Sequence, residues 1–93
     1  MSERMPFVGG NWKMNTDLAL AVELVEDIVA GLGEADLRSD VVLFPPYPYL
    51  QAVGRAVGHH HLQVGGQDVS AETDGAWTGQ VSSAMLRDLG VRW

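Results

Sequence analysis

Short, largely apolar segments alternate along this chain with segments whose apolar residues recur every three or four positions. That alternation constrains the fold more than any single residue does. Residues 5–10 (MPFVGG), 41–44 (VVLF) and 61–65 (HLQVG) read as strands. Between the first two, Leu18, Ala21, Val22, Val25, Ile28, Val29 and Leu32 fall on one stripe of a helix, with Glu23, Glu26 and Asp27 facing elsewhere. Asn15 or Thr16 is expected to cap that helix, with Asp17 in its first turn and Gly33 as its stop. A second helix is expected from about Pro48, with Leu50, Val53 and Val57 on one face and Gly58 closing it. Residues 67–79 read as a long loop. Ser82 or Ser83 then caps a third helix carrying Met85, Leu86 and Leu89, closed by Gly90, and Val91 opens a fourth strand. Strands without polar alternation, separated by amphipathic helices, imply a parallel sheet built from right-handed βα crossovers.

Ninety-three residues suit a single domain. Apolar runs of about five residues fall far short of the ~20 that a membrane helix needs. No basic stretch leads into an apolar one at the start, so no secretory signal is expected. The absence of cysteine excludes disulfides and thiolate metal sites within these residues. A formal net charge of −6 argues against non-specific nucleic-acid binding, which depends on Lys and Arg neutralising phosphates. A soluble, acidic, cytoplasmic protein is the expectation.

In parallel α/β folds, ligands bind where strands end and helices begin. The first such turn holds Lys13, the only lysine in the chain, beside Asn11. A lone ammonium there suits an anionic ligand, and a solvated loop lysine is the plainer alternative. The Gly9-Gly10 pair does not extend to a nucleotide-binding pattern. Adjacent side chains of an extended backbone point to opposite faces, so His59, His60 and His61 are expected to form a turn rather than a metal site. The run Pro45-Pro46-Tyr47-Pro48 fits a tight βα turn better than a polyproline ligand. Asp68 could serve as an acid or base, or as a loop hydrogen-bonding group. Trp77 marks an interface or folds back onto its own domain.

The segment Phe7-Val8-Gly9-Gly10-Asn11-Trp12-Lys13-Met14-Asn15 closely resembles the N-terminal signature of the triosephosphate isomerase family. Residues 45–50 (PPYPYL), 66–70 (GQDVS) and 75–82 (GAWTGQVS) resemble the turn after its second strand, the end of its third strand in bacterial forms, and its protruding third loop. The resemblance implies a parallel (β/α)8 TIM barrel of about 250 residues. Residues 1–93 would supply an incomplete N-terminal part of that single domain: the first three βα units and the start of strand four. It further implies interconversion of dihydroxyacetone phosphate and glyceraldehyde 3-phosphate in glycolysis and gluconeogenesis, without metal or organic cofactor. By the match, Asn11 and Lys13 bind substrate, and Lys13 stabilises charge growing on the enediolate. Trp77, Thr78, Gln67 and Asp68 belong, by the same match, to a homodimer interface. The known chemistry of this family also uses a glutamate base, a neutral histidine and a closing loop. The resemblance places none of these in the 93 residues, so the isolated chain is expected to be inactive and its open sheet edges to compromise folding. A split-enzyme half, or a non-catalytic remnant keeping the Asn11–Lys13 anion site, is the alternative. Two positions depart from the family: Gln80 stands for the usual glutamate, and Tyr47 for a more usual phenylalanine.

Overall fold

In the computed structural model, residues 4–33, 38–58 and 61–93 are described. His59 and His60, and the turn expected there, lie outside them. The elements are β1 (Phe7–Asn11), α1 (Leu18–Leu32), β2 (Asp40–Phe44), a 3-10 turn (Tyr47–Tyr49), α2 (Leu50–Val57), β3 (Gln63–Val64) and α3 (Ser83–Asp88). The strands form one parallel sheet in the order β1-β2-β3, as expected. No helix among the described residues is long and apolar enough to cross a membrane.

Register sorts the side chains into two faces. Phe7 pairs with Asp40 and Asn11 with Phe44, while Val42 pairs with Gln63 and Leu43 with Val64. Alternation therefore puts Phe7, Gly9, Asn11, Asp40, Val42, Phe44, Gln63 and Gly65 on one face. Leu43 lies on the other, where it joins Ala21 and Val25 of α1, Val53 and Val57 of α2, and Leu62 in a buried cluster. Both crossover helices thus cover the same face. A doubly wound sheet would carry helices on opposite faces; sequential strand order with every crossover on one side is the winding of a barrel wall.

The inward face is aromatic. The Phe7 ring centroid lies 6.4 Å from that of Phe44 and 5.1 Å from that of Trp93. Gly9 and Gly65 make room for these rings: a Cβ on Gly9 would come within 2.9 Å of Phe7 Cε1, and one on Gly65 within 2.6 Å of Phe44 Cδ1. On the same face, Gln63 Nε2 donates to Asp40 Oδ1 (3.2 Å) and Trp93 Nε1 donates to Gln63 Oε1 (2.6 Å).

Three local expectations are corrected. Asp17 caps α1: its extended backbone lets Oδ1 accept the Leu20 N–H at 2.9 Å. Asn15 spends its amide on the Trp12 carbonyl, and Thr16 sits at φ 81°, so neither is the cap. The third strand is confined to Gln63–Val64, with Gly65 N–H still bonded to the Leu43 carbonyl at 2.8 Å. At α3, Leu86 is buried while Met85 and Leu89 are exposed, because a six-residue helix presents little more than one residue to the sheet. Residues 91–93 form no regular strand, although the Trp93 carbonyl accepts the Gly66 N–H at 3.1 Å beside β3.

Candidate functional site

The strand ends converge on one loop. Beyond β1, the Trp12 N–H still donates to the Phe44 carbonyl at 3.1 Å, so the chain leaves the sheet only at Lys13. There the backbone turns left-handed, with φ 55° at Lys13 and 81° at Thr16, the only non-glycine residues with positive φ among those described. L side chains adopt this region at a steric cost, and a β-branched threonine pays most. Inside the turn, Asn11 Oδ1 accepts the Lys13 N–H at 2.8 Å, and Asn15 Nδ2 donates to the Trp12 carbonyl at 2.7 Å. From beyond β3, Gln67 Nε2 donates to both the Lys13 carbonyl (2.9 Å) and the Phe44 carbonyl (2.8 Å). The Thr16 hydroxyl oxygen is buried without a partner among the described residues.

The outcome is an exposed set of polar groups at the C-terminal edge of the sheet. The Lys13 side chain is exposed there, and Asn11, with its oxygen committed to Lys13 N–H, offers its amide hydrogens to an acceptor. Ammonium plus amide donors on a rigid backbone suit a phosphate or a developing oxyanion. Asn11 and Lys13 share this turn, the Asn11 carboxamide meeting the Lys13 backbone N–H. Gln67 joins them, a role no local pattern announces, since its partner Lys13 is 54 residues away.

Asp68 is turned to other work. Its Oδ1 accepts the Val69 N–H at 2.9 Å, and its own N–H donates to the Tyr47 Oη at 3.0 Å. The hydroxyl that Tyr47 adds thus has a partner. Burial pushes the Tyr47 phenol above its ordinary value, the Asp68 charge adding to the rise and the Asp68 N–H opposing it. Tyr47→Phe is expected to cost about 0.5–1.5 kcal/mol, the net worth of one hydrogen bond. A phenol whose folded pKa exceeds its unfolded value of about 10 contributes stability that is complete below pH 10 and lost as pH rises further. Urea midpoints at pH 8 and pH 11 are therefore expected to diverge more for the native tyrosine than for Tyr47→Phe; equal divergence would count against the burial of the phenol.

Trp77 and Thr78 lie apart from this turn, exposed in the loop of residues 70–80. The loop base is closed by Ser70 N–H to the Val81 carbonyl (2.8 Å) and Ser70 Oγ to Gln80 Oε1 (2.6 Å). Gln80 thus uses its oxygen as an acceptor, a function a carboxylate shares. The Trp77 indole lies over Gly75, whose φ of 115° and missing Cβ admit it. The proline run forms the βα turn: Pro45 is fully buried and the 3-10 turn follows from Pro46. His61 is exposed just ahead of β3, at the opposite edge of the sheet from Lys13.

Singly wound parallel strands with helices on one face, and a cationic turn at the C-terminal edge, define the class: a βα-barrel protein. The sequence model of the triosephosphate isomerase family matches residues 6–93, and the chain belongs to that family. It is 43% identical over 90 residues to the triosephosphate isomerase of Chloroflexus aurantiacus, covering 97% of this chain and 36% of that protein. To the triosephosphate isomerase of Alkalilimnicola ehrlichii it is 45% identical over 91 residues, covering 96% and 35%. To that of Cutibacterium acnes it is 41% identical over 95 residues, covering 97% and 37%. The chain spans about a third of the length of the curated relatives it matches.

Proposed function

We infer that this chain forms the N-terminal third of a triosephosphate isomerase barrel. The completed barrel interconverts dihydroxyacetone phosphate and glyceraldehyde 3-phosphate, the step shared by glycolysis and gluconeogenesis. The observation that carries this reading is the turn at Lys13: the sole lysine of a family-matched chain, held between Asn11 and Gln67 at the mouth of the sheet. In the reaction a proton leaves the carbon bearing the hydroxyl while the carbonyl oxygen gains negative charge as the enediolate forms. A proton then returns to the former carbonyl carbon, whose oxygen is protonated as the original hydroxyl oxygen gives up its proton and becomes the new carbonyl. Lys13 supplies positive charge where the enediolate oxygen develops, and Asn11 donates a hydrogen bond to the bound substrate. The isomerisation is redox-neutral overall and consumes no oxidant or reductant.

Proton abstraction needs a positioned base, worth about 10²–10⁴ in rate. Asp68 is engaged with Val69, and His61 lies at the far edge of the sheet. By the family resemblance the base and electrophile belong to the remainder of the barrel, and the chain alone is proposed to be inactive. Trp77 and Thr78, exposed at the loop, together with Gln67 and Asp68, are proposed to face a second subunit in a cytoplasmic homodimer. The test joins this chain to the residues of the Chloroflexus aurantiacus relative that follow its matched segment, and follows triose phosphate turnover in a coupled assay. Turnover within about a hundredfold of that relative is expected. Phosphate binding without turnover would favour a non-catalytic remnant instead.

A further inference from the structure

The geometry points to Gln67 as a positioning residue for Lys13: its carboxamide clamps the left-handed turn to the end of β2 and thereby sets where the ammonium stands. This deepens the proposed function and rests on it for the kinetic consequence only. Gln67 was assigned above to a subunit interface by resemblance, yet its Nε2 is already occupied within its own chain. One nitrogen donates to two carbonyls, Lys13 O at 2.9 Å and Phe44 O at 2.8 Å. The first is left open by the sheet, and the second uses its other lone pair. Lys13 is the first residue to leave the sheet, and the Phe44 carbonyl, which also accepts the Trp12 N–H, is the last of β2.

The clamp matters because the turn does not hold itself by backbone preference. Lys13 and Thr16 both sit at positive φ, and the buried Thr16 hydroxyl returns no hydrogen bond among the described residues. A sterically disfavoured backbone persists only where its surroundings over-determine it. Here the restraints are Asn11 Oδ1 on the Lys13 N–H from one side and Gln67 Nε2 on the Lys13 carbonyl from the other. Both faces of the same residue are thus fixed, and a displacement of its Cα carries the base of the catalytic side chain with it. Loss of the clamp frees the turn to relax, and misplacement by about an ångström is enough to cost around a hundredfold in rate.

A lone lysine makes the test direct. Lysyl endopeptidase can cut the chain only after Lys13, at the carbonyl that Gln67 holds, whereas an arginine-specific protease cuts elsewhere, including at Arg55 in α2. Cleavage requires the local segment to open, so its rate follows the open population when reclosing is fast. In the joined barrel, with cleavage sites mapped by mass spectrometry, Gln67→Glu keeps the shape but removes the donor, and Gln67→Met removes it without adding charge. Both are expected to accelerate cleavage at Lys13 about tenfold, the loss of one or two net hydrogen bonds, with cleavage at Arg55 unchanged. Equal acceleration at both sites, or none at either, overturns the proposal. The kinetic arm uses the same joined barrel. Gln67→Glu is expected to lower kcat/KM at a temperature where the variant is fully folded, and to have no further effect in a Lys13→Ala background; additive losses would show that Gln67 acts independently of Lys13. Should the joined barrel prove inactive, the isomerase reading fails while the proteolysis arm still decides the clamp.

Discussion

Lys13→Ala in the joined barrel is expected to lower kcat/KM by at least about 10²–10³-fold, the effect of removing one well-placed oxyanion donor. The full ammonium gives this position more to lose than a neutral donor would, because charge-assisted hydrogen bonds are about twice as strong as neutral ones. The loss is expected in both parameters. A cation that meets a phosphate-bearing substrate supports the ground state and so contributes to KM, while its attraction to the growing enediolate charge acts on kcat. Lys13→Arg restores the charge with a planar, longer head, and the turn clamped by Gln67 and Asn11 cannot slide to accommodate it. Partial recovery of KM with little recovery of kcat is therefore expected from arginine. Retention of more than a tenth of the parent kcat/KM by Lys13→Ala would sink the assignment of Lys13 to the chemistry.

What could be read from residues alone follows the range of the interactions involved. The stripe through Ala21 and Val25 is a local property of one helix, and both residues are fully buried where the period puts them. Gly33 and Gly58, both at φ 58°, end α1 and α2 as their positions after an apolar period suggest. The cap of α1 was less legible, because Asn15, Thr16 and Asp17 are all competent caps in isolation and the choice depends on a backbone that turns left-handed just before it. The narrowness of β3 and the exposure of Met85 and Leu89 depend on neighbours, not on propensity. At the site, the pairing of Asn11 with Lys13 is separated by two residues and visible in the motif. The reach of Gln67 to Lys13, and of Asp68 to the Tyr47 hydroxyl, spans 54 and 21 residues and exists only once the strands are in register. That register also brings the Phe44 ring over Gly65, a contact between two residues whose local sequence says nothing of each other.

Gly65→Ala is expected to destabilise the fold by about 1–3 kcal/mol, although alanine is usually the better strand residue. Two effects oppose each other. Gly65 does not occupy the left-handed region, so a Cβ restricts the unfolded chain and on its own would stabilise by about 0.4–1 kcal/mol. The Cβ, however, would lie 2.6 Å from Phe44 Cδ1 and 3.0 Å from Cζ, with Cε1 nearer still. The ring cannot simply swing away, because the Phe7 ring packs beside it with centroids 6.4 Å apart. Sterics therefore outweigh entropy. Gly10 provides the control in the same sheet: its Cβ would meet nothing closer than Leu43 Cδ2 at 3.7 Å, an ordinary contact, so Gly10→Ala is expected to be neutral or slightly stabilising. If the Phe44 ring is the cause, Phe44→Leu, itself costly in the parent, should cost less in the Gly65→Ala background, giving a coupling of about 0.5–3 kcal/mol in the double-mutant cycle. Urea midpoints for the four members of the cycle, measured in the joined barrel, decide it. Additivity would mean that the inward face yields around Gly65, and that the close fit of ring to glycine does not set the spacing of β2 and β3.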